Sequence, residues 1–349
     1  MNKKLIALAV AAAAASPVHA LEVYNDGTNT FSVGGRLAAS ARFSDGDSEL
    51  RNQSSRINFS YTHALESGWD IGTRAEWGYD ALANNNEDSL LSNRLGQITA
   101  DKDGIGHFTI GKAWSVNYDL TGRTDMFWIY GGEAAGNYDG ISSDGGVHGT
   151  GRADDVIQYR NNFNGLQVGL QYQFEDNNDD YERESGYQAM INYDFDFGFG
   201  VGAAYTQTKF DDREDAKIAN FGLSYNANNL NIAANYNEFR NHQVGAGNGY
   251  GGVFADGDLN TVGGTIKSAT GTEVFVSYDI NSFQILGGYN HLEDDNSDAK
   301  YAYGVIGAAY FTGPLILAAE YKIDASSTNG NGSDANLDNE LGLLVRYNF

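Results

Sequence analysis

The residues that could do chemistry in this chain of 349 amino acids are fixed charges and aromatic planes, not nucleophiles. The six histidines, His19, His63, His107, His148, His242 and His291, lie far apart, and no G-x-S-x-G or H-E-x-x-H appears. There is no cysteine, which excludes a disulfide framework and thiol-based metal or redox chemistry. The concentrated resource is the segment 114–152, where Trp114, Asp125, Phe127, Trp128, Tyr130, Glu133 and Arg152 stand among paired glycines with no period of 2 or 3.6. Charges of both signs held opposite one another would set a local field, and aromatic planes can stack on sugar rings or pack against a wall. The segment reads as a loop folded into the interior of something hollow; a surface lid or an ordinary long loop is the alternative.

The elements that would have to position these residues are strands. The chain opens with Lys3 and Lys4, a short apolar run and Val18-His19-Ala20, the pattern of a secretory signal over 1–20 whose apolar run is too short to span a bilayer. Removing the two signal lysines takes the formal charge from −24 to −26, which disfavours a nucleic-acid partner. Beyond Pro17 in the signal, Pro314 is the one proline, and long ladders tolerate few. Strict alternation recurs: Leu166, Val168, Leu170 and Tyr172 oppose Gln167, Gly169, Gln171 and Gln173, and Leu341, Leu343, Val345, Tyr347 and Phe349 oppose Glu340, Gly342, Leu344, Arg346 and Asn348.

Such runs fall at 31–43, 55–63, 69–79, 92–101, 106–115, 154–161, 165–174, 186–195, 198–209, 216–227, 230–239, 271–280, 283–292, 301–311, 315–323 and 339–349, sixteen in all. Their connections alternate between tight turns (196–197, 228–229, 281–282, 312–314) and long acidic or Asn/Gly-rich stretches (45–53, 80–91, 175–185, 240–270, 293–300, 324–338). A soluble sandwich has no need of that sorting. A transmembrane barrel has, with turns at one rim, loops at the other, an apolar outside and a polar lumen. The expected fold is all-β: a 16-stranded antiparallel transmembrane β-barrel with an inward-folded constriction loop after the fifth strand, in one domain over 21–349. Tyr61, Tyr193, Phe195, Tyr225, Tyr278, Tyr310, Phe311, Tyr347 and Phe349 are placed to form interfacial girdles. Alternation also puts Arg36 and Arg56 on the lumen side, since an arginine facing lipid costs about 2–4 kcal/mol at the midplane.

Read in this frame, the chain resembles the general trimeric porins of the Gram-negative outer membrane. The residues that carry the likeness are Leu21-Glu22-Val23-Tyr24-Asn25-Asp26-Gly27 at the mature start, Thr124-Asp125-Met126 with aromatics and Gly131-Gly132 in the loop, Gly151-Arg152 before Tyr159-Arg160-Asn161, and the terminal Phe349. The resemblance implies that Arg56, Arg94 and Arg152 match the family's basic cluster on the barrel wall, with Arg36 a further lumen-facing position. It implies that Asp125 is the loop's first carboxylate. Where the family usually has Pro-Glu-Phe this chain has Trp128-Ile129-Tyr130, so the second acid is missing, and Glu133 is the candidate replacement.

The function so implied is an outer-membrane porin: a water-filled channel for passive diffusion of small hydrophilic solutes and ions, not an enzyme, with no cofactor and no metal. A saccharide-selective channel using Trp114, Phe127, Trp128 and Tyr130, and a barrel acting in adhesion through its acidic loops, are the alternatives. The acid runs at 45–49 and 176–180 lack a full calcium-loop pattern and read as solvated loops, able to bridge through divalent cations to lipopolysaccharide phosphates. A homotrimer is expected from the resemblance. The resemblance also implies that 80–91 reaches toward a neighbour, and weak lipid-facing surface in the first strands agrees with a trimer: Gly35, Ala39 and Ala41 opposite the Arg36 register, and Gln97 and Thr99 opposite Arg94.

Overall fold

The structure, a computed structural model, describes residues 20–83, 91–138, 141, 144–178, 180–244, 249–254 and 264–349. All but Ala20 of the expected signal, and most of the 80–91 connection, lie outside them. The strands are β1 (Leu21–Asn25), β2 (Asn29–Phe43), β3 (Ser48–Asn52), β4 (Arg56–Ala64), β5 (Asp70–Gly78), β6 (Ser92–Lys102), β7 (Gly106–Trp114), β8 (Arg152–Phe163), β9 (Leu166–Gln173), β10 (Asp176–Asn178), β11 (Tyr181–Asp194), β12 (Phe199–Phe210), β13 (Ala216–Ala227), β14 (Leu230–Val244), β15 (Gly264–Ile280), β16 (Phe283–Asp294), β17 (Lys300–Thr312), β18 (Leu315–Asp324) and β19 (Glu340–Asn348). Every neighbouring pair is antiparallel, and β19 pairs with β2, Leu341 opposite Phe43 through Asn348 opposite Arg36, so the sheet closes on itself.

Three of the nineteen strands are short additions. β1 continues the line of β19 along the lower half of β2, with Gly35 and Phe349 exchanging backbone hydrogen bonds at the junction. β3 extends β4 upward against β2, and β10 folds back on β11. The remaining sixteen are the wall, and each coincides with one of the runs expected from alternation. Turn chemistry sets one rim: Asn228 and Asn229 both take positive φ (54° and 65°), as a two-residue type I′ hairpin requires, and Asn164-Gly165 and Asn281 use the same backbone region.

Burial separates the two faces. Leu170, Ile191, Phe221, Ile285, Ile306 and Val345 are exposed on the outside, while Gln171, Asn192, Asn220, Asn290 and Glu320 are buried within. Apolar groups facing out and polar groups facing in are what a hydrocarbon solvent and a wet lumen select.

Four expectations need correction. A bulge pairs Glu76 with Leu95 and Trp77 with Asn93, leaving Arg94 as the extra residue; alternation is shifted beyond it, so Gln97 and Thr99 line the lumen instead of facing out. Phe311 is not in the outer girdle but turns inward onto Trp128, ring centroids 5.5 Å apart. The stretch 240–270 is partly strand, since β14 runs on to Val244 and β15 begins at Gly264; between them Tyr250, Val253 and Phe254 are buried. The stretch 175–185 likewise contains β10 and the start of β11.

The described residues between 115 and 151 cross the inside of the wall. They begin with a single helical turn, α1 (Tyr118–Thr121), whose Leu120 sits against β12 and β13. A Cβ added at Gly202 or Gly222 would come within 2.8 or 2.7 Å of Leu120 Cδ1, so bare backbone at these two wall positions is what admits the helix. Gly222→Leu is expected to unseat α1, costing about 1–3 kcal/mol through overpacking. The measurement is the urea unfolding midpoint together with open-channel noise in a planar bilayer; a variant unchanged in both would contradict the docking described.

Candidate functional site: a charged lumen crossed by an anchored loop

The basic side of the lumen is built from neighbouring strands in register. Arg36 on β2 lies opposite Arg56 on β4, and Arg56 lies opposite Gly78 on β5. Glu76, two residues before Gly78 and 1% exposed, receives Arg56 Nη1 at 3.2 Å, Arg74 Nη2 at 2.8 Å and Arg94 Nε at 2.9 Å. One buried carboxylate thus gathers three guanidinium groups, a charge-assisted arrangement that fixes their directions. Arg36 donates from Nε to the carbonyl of Ser54 at 2.9 Å. Arg152, at the start of β8, lies over the rings of Trp114 (5.5 Å) and Tyr138 (6.0 Å) and is 3.8 Å from Asp144.

On the loop side, Asp125 accepts from Tyr118 Oη at 2.8 Å, Tyr138 Oη at 2.5 Å and the Gly132 N–H at 3.1 Å. Burial pushes its carboxyl up from the ordinary range, while the bonds from Tyr138, Tyr118 and Gly132 pull it down. Two carboxylates of the wall clamp the loop backbone. Glu320 on β18 accepts the N–H groups of Trp128 (2.6 Å), Ile129 (3.0 Å) and Tyr130 (3.0 Å). Glu273 on β15 accepts from the Ala135 N–H at 2.9 Å and from the Thr124 hydroxyl.

The aromatic candidates are largely engaged. Trp128 donates from Nε1 to Gln284 at 3.0 Å and carries Arg346 at 5.7 Å from its ring centre. Phe127 meets Phe275 edge-on at 5.0 Å, Trp114 stacks on Tyr118 at 4.3 Å, and Tyr130 lies beneath Arg42 and Lys322.

These groups share one cavity of about 2670 Å³, lined by Arg36, Arg56, Arg94, Arg152, Asp125, Trp128 and Tyr130, and extending to turn residues such as Gly104, Asn281 and Pro314. Seven of the eight predicted site residues are therefore brought to one space. The eighth, Glu133, has its N–H on Asn290 at 3.1 Å and its carboxyl beside Tyr301, Lys322 and Arg42, away from that lining. Glu76 was missed, although alternation in 69–79 puts Asp70, Gly72, Arg74 and Glu76 on one face and was sufficient to find it. Glu320 and Glu273 carried no comparable signal, because a clamp on a distant loop has no local spacing.

Among known proteins, the family described as Gram-negative porin matches residues 7–329. The chain is a Gram-negative porin. Outer membrane porin N of Escherichia coli is 32% identical over 274 residues, covering 69% of this chain and 70% of that protein. Porin-like protein L of Photobacterium profundum is 29% identical with both chains covered in full. Among solved structures, the Salmonella typhi OmpF complex with daunomycin superposes with a TM-score of 0.78 at 22% identity, covering 94% of this porin and all of that chain. The anion-selective porin of Comamonas acidovorans gives 0.71 at 16%, covering 92% of this porin and all of that chain. The porin is accordingly a multi-pass barrel of the Gram-negative outer membrane, a water-filled channel for passive diffusion of small hydrophilic solutes and ions.

Replacing Glu76 by Gln leaves three guanidinium groups without their shared charge. Stability is expected to fall by about 3–5 kcal/mol, the usual result of breaking a buried ion cluster from one side. The reversal potential in a salt gradient should also move toward anions. A variant with unaltered unfolding and unaltered potential would show that Glu76 organises neither.

Proposed function

We propose that the pore waist lies between the arginine wall (Arg36, Arg56, Arg94, Arg152) and the loop residues around Asp125, Trp128 and Tyr130, and that solutes pass it by size and charge. The observation that carries this reading is the opposition of a Glu76-centred guanidinium cluster to a loop held rigid by Glu320 and Glu273. A transverse field of this kind favours small hydrated polar solutes over apolar ones.

Two contributions compete for ion preference. The charge of −26 left after the two signal lysines are removed from −24 gathers cations at the mouth but is screened within about 8 Å at physiological salt, whereas the waist is locally positive. We expect mild cation selectivity at low ionic strength that fades as salt rises. Reversal potentials across KCl gradients at two ionic strengths measure it, and a preference that grows with salt would refute the mouth as its source.

For the sugar-selective reading, the decisive variant is Trp128→Ala. The packing of Trp128 against Phe311, Gln284 and Arg346 supports a width-setting role. No oligosaccharide should block the wild-type current, and Arg94→Ala should change conductance more than Trp128→Ala. Oligosaccharide block that is lost in Trp128→Ala would establish the sugar reading instead.

We propose further that the porin works as a homotrimer. Support comes from the small residues Ala39 and Ala41 on the outer face of β2 and from a structural neighbour, OmpT of Vibrio cholerae, described in a trimer form. Mass measurement in mild detergent should give three chains per particle; monomers alone would refute it.

A further inference from the structure

The arginines of the lumen are not equally satisfied. Arg56, Arg74 and Arg94 spend donors on Glu76, and Arg152 has Asp144, Trp114 and Tyr138. Arg36 and Arg346 differ. Each makes a hydrogen bond through Nε, Arg36 to the Ser54 carbonyl at 2.9 Å and Arg346 to Asn348 Oδ1 at 2.7 Å. Among the described residues the four terminal nitrogens of these two guanidinium groups have neither hydrogen bond nor carboxylate partner, and both side chains line the cavity.

The register brings the two together. Asn348 on β19 lies directly opposite Arg36 on β2, and Arg346, two residues back on the same inward face, leans toward Asn348 through its Nε bond. Residues diagonal across a strand pair are about 7–8 Å apart at the backbone, within easy reach of arginine side chains. Arg346 acts electrostatically on both Arg36 and Arg56, so three like charges converge here. Glu76, the carboxylate that acts on Arg36, is already shared among three other donors. Arg346 is moreover only 5% exposed as a residue, and its other neighbour is the Trp128 ring at 5.7 Å.

Two forks with free N–H pairs, facing one lumen and lacking a counter-charge, make a receptor for an oxyanion with several acceptor oxygens. Arginine favours phosphate and carboxylate geometry because its donors can bind two oxygens at once. The cavity that holds the pair extends to the turns at residues 104, 281 and 314, so it reaches the tight-turn rim.

We propose that Arg346 and Arg36 form an anion-binding station on the tight-turn side of the constriction loop, selective for phosphate-type dianions over chloride. The proposal rests on the porin reading, yet it is tested by block of an open channel, so KCl conductance reports the porin reading separately.

The probe is inorganic phosphate at pH 8 in a KCl background, applied to one face of a planar bilayer holding oriented channels. Phosphate on the tight-turn side is expected to reduce the current in a saturable way, with block from the other side several-fold weaker. Arg346→Gln should raise the half-blocking concentration about tenfold, the equivalent of roughly 1.4 kcal/mol of lost affinity, and Arg346→Lys should restore part of it. Arg94→Gln, which alters the waist without replacing either arginine of the pair, should shift block less than Arg346→Gln does. Each variant is first required to give the heat-modifiable band and open KCl channels of a folded barrel; should Arg346→Gln fail that, Arg36→Gln replaces it with the same expected loss of block. An absence of saturable block, block equal from both sides, or block abolished by Arg94→Gln and retained in Arg346→Gln would overturn the proposal.

Discussion

The structure depends first on a constraint of the solvent around it: in hydrocarbon every backbone N–H and C=O must be paired within the protein. The sixteen wall strands meet it by closure, and closure is completed at the least regular place, where β19 and then β1 share the edge of β2. Gly35 is central to that junction. A Cβ there would lie 2.5 Å from the Arg56 carbonyl and 2.6 Å from the ring of Phe349, so the C-terminal aromatic occupies space that glycine leaves. Once the sheet is closed, alternation has only one arrangement compatible with lipid outside and water inside, and every inward side chain is committed to the lumen.

That commitment turns the lumen wall into a docking surface. The inward face is not uniformly polar: Ala38, Phe275, Ile316 and Leu344 are buried there beside Ile129 and Tyr130 of the loop, in one apolar cluster. Around this patch the loop's backbone donors are met by carboxylates. Glu320 takes three consecutive N–H groups, an arrangement resembling the anion-holding concavities formed by successive amides. Where Glu320 and Glu273 reach it, a segment with little regular structure has its backbone donors paired and the side chains of Ile129 and Tyr130 covered.

The same logic organises charge. Arginines on adjacent strands would repel, and Glu76 makes their proximity tolerable by sharing two oxygens among Arg56, Arg74 and Arg94. Of the arginines left outside that arrangement, Arg36 and Arg346 keep their terminal donors for the lumen. Structural and functional electrostatics are separated by which guanidinium groups Glu76 can reach.

Sequence alone determined the barrel, its strand count and the sorting of turns from loops, because period-2 alternation and turn residues such as Asn228-Asn229 are local consequences of backbone geometry. Lipid exclusion and alternation, which act residue by residue, also put Arg36 and Arg56 on the lumen face, whereas Arg94, Arg152 and Asp125 were singled out by the family resemblance. What sequence did not determine was anything set by a pairing between distant segments. The bulge at Arg94 turned Gln97 and Thr99 inward, because a register shift is a property of two strands and not of one. Glu133 shares the loop with Asp125, yet its carboxyl sits beside Tyr301, Lys322 and Arg42, which the path of the loop alone decides. Glu320 lies about two hundred residues from the amides it holds, and Arg346 meets Arg36 only across the barrel's closing seam. Only closure of the sheet brings those residues into one lumen.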